Sequence, residues 1–195
     1  MRARRMMRAA GLVATAVAVG AWSGGERGGE LDRRVFRLLN RDRGRLLDSV
    51  FHGVTELGSI WASAGAATAL AIAGRRRAAA RAFAAAGAAW LAGQGLKKVF
   101  LRPRPYVANP AGTRLLIAPP RATSWPSSHP AVLLAFTTVA GRALGVTRSG
   151  RFALDALGLV VGASRTHVGV HYPSDVAGGV LLGKAVAAAV SGDGR

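Results

Sequence analysis

Two histidines, an arginine and an aspartate fall within residues 164–175, a short stretch between two apolar runs. His171 and Asp175 are four positions apart, so in a helical segment the carboxylate could reach one imidazole nitrogen and leave the other free to attack. The spacing therefore predicts a histidine nucleophile with an orienting carboxylate. His167 shares the stretch without this spacing, and we interpret it as a loop residue or a residue at the rim of the substrate site.

A second group of candidate residues is basic. Lys97 ends an apolar run, and Arg104 follows seven positions later between two prolines. A compact ammonium group and a planar guanidinium are complementary tools for holding a phosphate. A plain anchor for lipid headgroups is the alternative for these residues taken alone. Lys98 and Arg102, in the same stretch, are interpreted as headgroup contacts.

The third group is Ser127, Ser128 and His129, which lead directly into an apolar run at Pro130. The unpaired N–H groups and the dipole of a helix N-terminus form an anion site, and a histidine there could donate a proton. A serine cap followed by an incidental interfacial histidine is the alternative. Together with Arg165, the three groups supply cations, histidines, a carboxylate and a helix N-terminus, a combination that solvation does not explain.

The composition limits the kinds of protein that this chain can be. It has 195 residues, of which half are hydrophobic, no cysteine and a formal charge of +18. The absence of cysteine excludes disulfides, a thiolate nucleophile and cysteine-based metal sites. The arginines cluster between alanine-rich apolar stretches, as at membrane boundaries, and are not interleaved with aromatic residues as in nucleic-acid binding. We expect membrane lipids and no nucleic acid as partners, and the oligomeric state stays open.

Apolar runs predict the elements that must position these residues. Several runs approach the ~20 residues with which a helix crosses the hydrocarbon core. We predict an all-α integral membrane bundle of about five to six transmembrane helices, with a soluble all-helical bundle as the alternative. The runs are residues 9–22, 57–74, 78–96, 130–141, 152–164 and 176–190.

We divide the chain into an N-terminal part, residues 1–56, and a catalytic membrane domain, residues 57–195. The run at 9–22 follows a basic N-terminus and fits either a short transmembrane helix or a signal peptide. Leucines and a valine at helical spacing beside arginines in residues 31–41 then predict an amphipathic helix in the headgroup interface, or an ordinary surface helix.

Arginines also predict the orientation. Residues 75–77 are three arginines between two predicted spans, so this loop is expected to face the cytoplasm. The residues that follow Leu96 then lie on the extracytoplasmic side of the cell membrane, and the predicted phosphate-binding residues lie there with them.

Three blocks, in this order, resemble the signature of the type 2 phosphatidic acid phosphatase (PAP2) superfamily, which includes soluble bacterial acid phosphatases and vanadium haloperoxidases. The resemblance covers about residues 57–190 and implies the membrane-bound lipid phosphatase branch with a four-helix catalytic core. Ser128 stands where the usual pattern has glycine; we expect only its backbone N–H to be used, which serine keeps. The blocks are Lys97 with Arg104-Pro105, Pro126-Ser127-Ser128-His129, and Ser164-Arg165 with His171 and Asp175.

The resemblance implies a role for each matched residue. His171 would attack phosphorus and form a phosphohistidine, with Asp175 fixing its tautomer. His129 would protonate the leaving group and later activate water. No metal or other cofactor is required, because phosphoryl transfer depends mainly on positioning and charge stabilisation. The remaining matched residues would hold the phosphate oxygens: Lys97, Arg104, Ser127, Ser128 and Arg165.

The expected substrate is the phosphate monoester or diphosphate of a lipid. Phosphatidic acid, phosphatidylglycerol phosphate, a polyprenyl diphosphate and a polyprenyl-linked sugar phosphate all fit, and the arginine- and alanine-rich composition favours a bacterial envelope lipid. The alternatives are a vanadate-dependent haloperoxidase or soluble secreted acid phosphatase of the same superfamily, and a non-catalytic lipid-binding membrane protein.

Overall fold

Helices make up most of residues 2–190, the part of the chain described by this computed structural model, and no strand occurs among these residues. The predicted all-α class is therefore confirmed. Residues 1 and 191–195, at the outer ends of the two predicted domains, lie outside the described residues, and the domain division stays a prediction. In chain order the helices are α1 (Arg2–Gly24), α2 (Glu26–Leu39), α3 (Arg45–Glu56), α4 (Ile60–Ile72), α5 (Arg76–Phe100), α6 (Pro105–Ala108), α7 (Ser128–Ala143), α8 (Arg148–His167) and α9 (Pro173–Val190).

Small side chains allow the central helices to pack closely. α7 lies between α5 and α9, while α1 runs along α9 and α8 packs on α7. The contact between α5 and α7 is built largely from alanine, including Ala82, Ala85 and Ala89 facing Ala131 and Ala135. Such small residues let helix backbones approach one another in a membrane, where lipid offers no hydrophobic driving force for association.

The predicted short run at 9–22 is part of a longer helix. α1 spans 23 residues and takes in the preceding arginines. Gly20 of α1 and Gly178 of α9 enclose the buried indole of Trp125, and a Cβ at either glycine would lie less than 3.0 Å from that ring. Both α1 and α9 therefore pack against Trp125, a side chain of the loop between α6 and α7.

The prediction of a continuous helix over residues 57–74 is wrong at both ends. α4 has only 13 residues, and a turn at 57–59 separates it from α3. Ser59 caps α4 by accepting a hydrogen bond from the Ala62 N–H, 3.0 Å. Gly58 in this turn packs against His129, and a Cβ at this glycine would lie 2.6 Å from His129 Cβ.

By length and composition, two of the described helices qualify as membrane spans, namely α1 and α9. The predicted five to six spans therefore stay a prediction. Charged residues lower the mean hydropathy of α5 and α8, and most of them, such as Arg81 and Arg151, are exposed and lie outside the site.

Candidate active site

The predicted site residues meet where several helix ends converge. Lys97 comes from the last turn of α5, Arg165 from the last turn of α8, and Asp175 from the first turn of α9. Ser127 is the N-cap of α7, and His171 lies in the connection between α8 and α9. Because α7 and α9 begin here, their N-terminal N–H groups and dipoles add positive potential to that of the cations.

His171 is buried, and its contacts define its tautomer. Nη1 of Arg104 lies 3.2 Å from His171 Nε2. A guanidinium can only donate, so Nε2 is the acceptor and the ring proton is on Nδ1. Arg104 is itself fixed by hydrogen bonds from Nε to the Ala122 carbonyl, 2.6 Å, and from Nη1 to the Val170 carbonyl, 2.8 Å. The nitrogen with the free lone pair is therefore held facing a cation.

The surroundings of His171 favour its neutral form. Burial lowers the pKa of His171 well below its ordinary value of 6.5, and the charges of Arg104, Lys97 and Arg165 lower this pKa further. His129 has the same effect on a smaller scale. A neutral imidazole is the form that can attack, so the cations that would bind phosphate also keep this side chain nucleophilic.

Asp175 is fully buried and accepts hydrogen bonds on both oxygens. Oδ2 accepts from the Tyr172 N–H, 2.8 Å, and from the hydroxyl of Ser124, and it lies 3.5 Å from His171 Nδ1. The last separation is longer than a hydrogen bond, and Nδ1 has no hydrogen-bond partner. α9 begins at Pro173, so the carboxylate approaches the imidazole from a helix start and not within one continuous helix, as the four-residue spacing had suggested.

Arg102 is not a headgroup contact, contrary to the prediction. Its Nη1 donates to Asp175 Oδ1 and to the Ser174 hydroxyl, each at 2.7 Å, and its Nη2 donates to Asp32 Oδ2 at 2.7 Å. The guanidinium also lies over the ring of Tyr172, 4.3 Å from its centroid. The guanidinium has several N–H donors in one plane, and a single carboxylate would leave some of them without an acceptor. Binding both Asp175 and Asp32 avoids this.

Asp32 was not among the predicted site residues. It projects from α2, is only 4% exposed, and accepts from the Ser174 N–H at 2.9 Å as well as from the Ser174 hydroxyl. It lies in a charged, arginine-rich segment of the sequence. A carboxylate on the otherwise apolar side of an amphipathic helix was the signal in the sequence that could have identified it.

Lys97 binds the loop that carries the serine block. Its ammonium group donates to the carbonyls of Pro126, 2.5 Å, and Ser124, 3.3 Å. The carbonyl of Lys97 accepts from the Thr123 hydroxyl, 2.7 Å. An ammonium group has three donors, so one is left for an anion after these two bonds.

Besides His171 Nδ1, two more polar atoms among the predicted site residues are buried without a hydrogen-bond partner. They are Arg165 Nε and Ser127 Oγ. Nη1 of Arg165 is held by the Thr55 hydroxyl at 2.8 Å, a contact that the sequence did not predict. Buried donors without acceptors are costly in a folded protein, and those at an active site are typically completed by the ligand. Both atoms are therefore candidates for binding phosphate oxygens.

Ser128 opens α7 without a positive φ, since Leu101 is the non-glycine residue with positive φ among those described. Serine therefore occupies this position without a left-handed backbone, and the expectation that only its backbone N–H is used stays a prediction. Its hydroxyl accepts a hydrogen bond from Gln94 Nε2 on α5 at 3.4 Å. His129, the next residue, is half-buried and stands closer to the surface than His171.

His167 is neither a loop residue nor a rim residue. It ends α8, is buried, and places Nε2 at 2.8 Å from Asp48 Oδ1 and Nδ1 at 3.3 Å from the Leu39 carbonyl. Arg114 binds the other oxygen of Asp48 at 2.8 Å, and both partners lower the pKa of this carboxyl. Asn40 joins the same cluster by donating to the carbonyls of Arg114 and His167. These residues fasten α2 and α3 beside the site.

No group of three or more His, Asp or Glu side chains that could hold a metal ion occurs among residues 2–190. The donors that converge near His171 are cations, hydroxyls and N–H groups. This donor set suits an anion and would repel a metal cation.

Comparison with known proteins identifies the family. Residues 77–193 match the PAP2 superfamily, and this match covers more than half of the chain. The chain belongs to the PAP2 superfamily. The family predicted from the three sequence blocks is therefore confirmed. No curated protein sequence matches significantly.

Two solved structures resemble this PAP2 protein. Aquifex aeolicus LpxE is 29% identical, with a TM-score of 0.70 over 78% of this chain and 90% of that one. A transmembrane PAP2-type phosphatidylglycerolphosphate phosphatase from Bacillus subtilis is 20% identical, with a TM-score of 0.75 over 94% of both chains. The second similarity confirms the fold as an integral membrane helical bundle of the PAP2 type. Together with the family membership, these similarities support a phosphatase that is associated with a membrane.

Proposed function

We propose that this PAP2 protein is a multi-pass membrane enzyme that hydrolyses the phosphate monoester or diphosphate of a lipid through a phosphohistidine intermediate, without a metal ion. The observation that carries the proposal is the environment of His171: a buried, neutral imidazole whose Nε2 faces Arg104 among other cations, with Asp175 on the side of Nδ1. A nucleophile placed within an anion site is what attack on phosphorus requires.

In the first step, Nε2 of His171 forms a bond to phosphorus while the bond from phosphorus to the leaving oxygen breaks. When the phosphate binds, it accepts the hydrogen bond of Arg104 in place of Nε2. The lone pair on Nε2 is then free to attack. Positive charge develops on the imidazole, and the carboxylate of Asp175, near Nδ1, stabilises it. His129 gives its proton to the leaving oxygen, and its half-buried position supports departure of that group toward the surface.

In the second step, His129 takes a proton from water, the new oxygen bonds to phosphorus, and the bond from phosphorus to Nε2 breaks. Lys97, Arg104 and Arg165 hold the non-bridging oxygens throughout, with the hydroxyl of Ser127 and the N–H groups at Ser128 and His129. The partnerless Arg165 Nε and Ser127 Oγ support this assignment. Losing one such contact typically costs ~10² to 10³ in rate.

The lipid nature of the substrate is proposed from the position of the site. It lies at the end of a bundle whose outer surface is apolar, so a lipid tail can remain in the membrane while its phosphate reaches the cations. The basic loop that begins α5 lies at the far end of that helix, and this supports an extracytoplasmic site. The named activity of the Bacillus subtilis structure makes phosphatidylglycerol phosphate one of the candidates to test.

The proposal is tested by phosphate release from a panel of lipid phosphates. Purified protein in detergent with a metal chelator is offered phosphatidic acid, phosphatidylglycerol phosphate and a polyprenyl diphosphate. We expect release from at least one of them and none by His171→Ala. His52→Ala, a histidine exposed on α3, is the matched control and should retain full activity.

Trapping the intermediate tests the nucleophile directly. A rapid quench in base followed by mass spectrometry should find phosphate on His171. Phosphate release by His171→Ala at the wild-type rate would rule out this assignment. Oxidation of halide that depends on vanadate and peroxide, without phosphate release, would favour a haloperoxidase, and lipid binding without any turnover would favour a non-catalytic protein.

A further inference from the structure

A second cavity lies at the end of the bundle that is remote from His171. Its volume is about 290 Å³, and it is bounded by the beginnings of α1 and α8 and by the later turns of α7 and α9. Arg142 on its wall stands thirteen positions after His129 on α7. At 1.5 Å per residue this is a distance of about 20 Å along the helix. The cavity is therefore separate from the candidate active site.

The cavity has an excess of positive charge. Four basic side chains and one carboxylate line it, namely Arg8, Arg142, Arg151, Lys184 and Asp155. The carboxylate of Asp155 is paired with Lys184, which also donates to the Thr138 hydroxyl at 3.2 Å. With that carboxylate paired with Lys184, Arg8 of α1 and Arg151 of α8 give the cavity a positive potential. Such a potential attracts an anion.

An apolar groove adjoins the basic cavity. It has a volume of about 520 Å³, runs between α4, α7 and α8, and shares the wall residues Thr137 and Leu154 with the cavity. Its other walls include Leu70, Phe136 and Ala140. Both volumes fall near or within the range of small-molecule sites. A ligand that fills both parts must be anionic at one end and apolar at the other.

We propose that the basic cavity and its groove bind an anionic phospholipid, with the phosphodiester of the head group among the arginines and an acyl chain along the groove. Basic pockets between membrane helices suit phosphate head groups in this way. The bound lipid is not a substrate, because it lies remote from His171. It holds together α1, α7, α8 and α9, the four helices that surround the cavity.

The experiment measures retention of lipid by the whole protein. Delipidated protein in detergent is titrated with phosphatidylglycerol or with phosphatidylcholine of the same acyl chains, and bound lipid is counted by native mass spectrometry. We expect phosphatidylglycerol to bind more tightly. Arg151→Gln should weaken its binding about fivefold, the effect typical of one cation near a charged membrane surface. Arg148→Gln, three positions earlier on α8 and outside the cavity wall, is the control and should leave binding unchanged.

Two further arms separate the possible sources of the anion and the two sites. Inorganic phosphate at millimolar concentration should not displace phosphatidylglycerol; displacement, with equal binding of the two phospholipids, would show that the cavity takes free phosphate and would overturn the proposal. Equal retention of phosphatidylglycerol by Arg151→Gln and the wild type would overturn it as well. Arg151→Gln should keep its activity on a short-chain phosphate ester. The lipid-site proposal can therefore fail while the phosphatase proposal stands, and the phosphatase proposal can fail while lipid binding is still observed.

Discussion

The guanidinium of Arg102 joins Asp32 of α2 to Asp175 of α9, donating from Nη2 to Asp32 Oδ2 and from Nη1 to Asp175 Oδ1, each over 2.7 Å. The two carboxylates and the cation are buried or nearly so. A charge that has left water must be compensated by its partners, so each member fixes the positions of the others. The orientation of Asp175 toward His171 therefore depends on a residue that lies outside the segment matched by the PAP2 family.

Replacing Asp32 with asparagine should lower kcat and leave KM nearly unchanged. Asparagine keeps an acceptor for Ser174 but loses the charge that holds Arg102, so Asp175 shifts relative to His171. We expect a loss of about 10- to 100-fold, the size found when a support behind a functional residue is removed. Steady-state kinetics on the best lipid substrate measure both constants.

The control for this prediction is Asp42→Asn, because that carboxylate is 74% exposed and lies 3.5 Å from its nearest cation. It should behave as the wild type. Asp32→Asn should also add little to Asp175→Asn, since both changes act on one contact. A full additional loss in the double variant would show that Asp32 acts on overall stability and not through Asp175.

The activity should have an acid limb that depends on Arg104. Burial and then Arg104 lower the pKa of His171 below 6.5, so the nucleophile is neutral at neutral pH and becomes protonated only in more acidic solution. Arg104→Gln removes a cation and raises this pKa toward 6.5. The acid limb of kcat/KM should then move to higher pH, in addition to a fall in rate. Arg104→Lys keeps the charge and should keep the limb in place; a limb unmoved in Arg104→Gln would count against His171 as the titrating group.

The loss caused by His129→Ala should depend on the leaving group. A lipid alkyl phosphate needs protonation of its leaving oxygen, and we expect a loss of about 10² to 10⁴, the range typical of general acid catalysis. An aryl phosphate leaves without a proton and should lose much less in the first step. Parallel rates on the two esters measure the difference, and equal losses would contradict the acid role.

The packing of Trp125 between α1 and α9 should make Gly178 intolerant of a side chain. A Cβ at Gly178 would lie 2.6 Å from the indole nitrogen, and forcing extra volume into a packed core typically costs about 1–3 kcal/mol. Gly178→Ala should therefore lower the melting temperature in detergent. Gly87→Ala, at a helical glycine with nothing within 4 Å, is the control and should raise it slightly. Equal melting temperatures for the two variants would contradict the packing argument.

The helices and the site residues around His171 were predictable, because each differs clearly from its neighbours in the sequence. Ionisable side chains are expensive in apolar segments, so Lys97, His129, Arg165 and His171 were conspicuous, and the apolar runs between them predicted the helices. The start of α4 was not predictable, since apolar composition cannot show that Gly58 packs against His129.

The residues whose charged partners lie far away in the sequence were not predicted correctly, for a different reason. Arg102 and Asp32 are separated by 70 positions, and His167 and Asp48 by 119. Considered only with its neighbours in sequence, each charged residue resembles a solvent-exposed one, and His167 resembles a histidine without a role. Only the fold brings them together, and a single sequence contains no record of such pairs.

The hydroxyl of Ser124 donates to Asp175, so the loop before α7 is completed by a helix that is synthesised later. His171, Asp175 and α9 come late in the described chain, whereas Asp32 comes early. A nascent chain that ends before α9 lacks Asp175, which is one of the two carboxylates bound by Arg102 and the acceptor of the Ser124 hydroxyl. We therefore expect the proposed site to be complete, and lipid phosphates to be hydrolysed, only once α9 has entered the bundle.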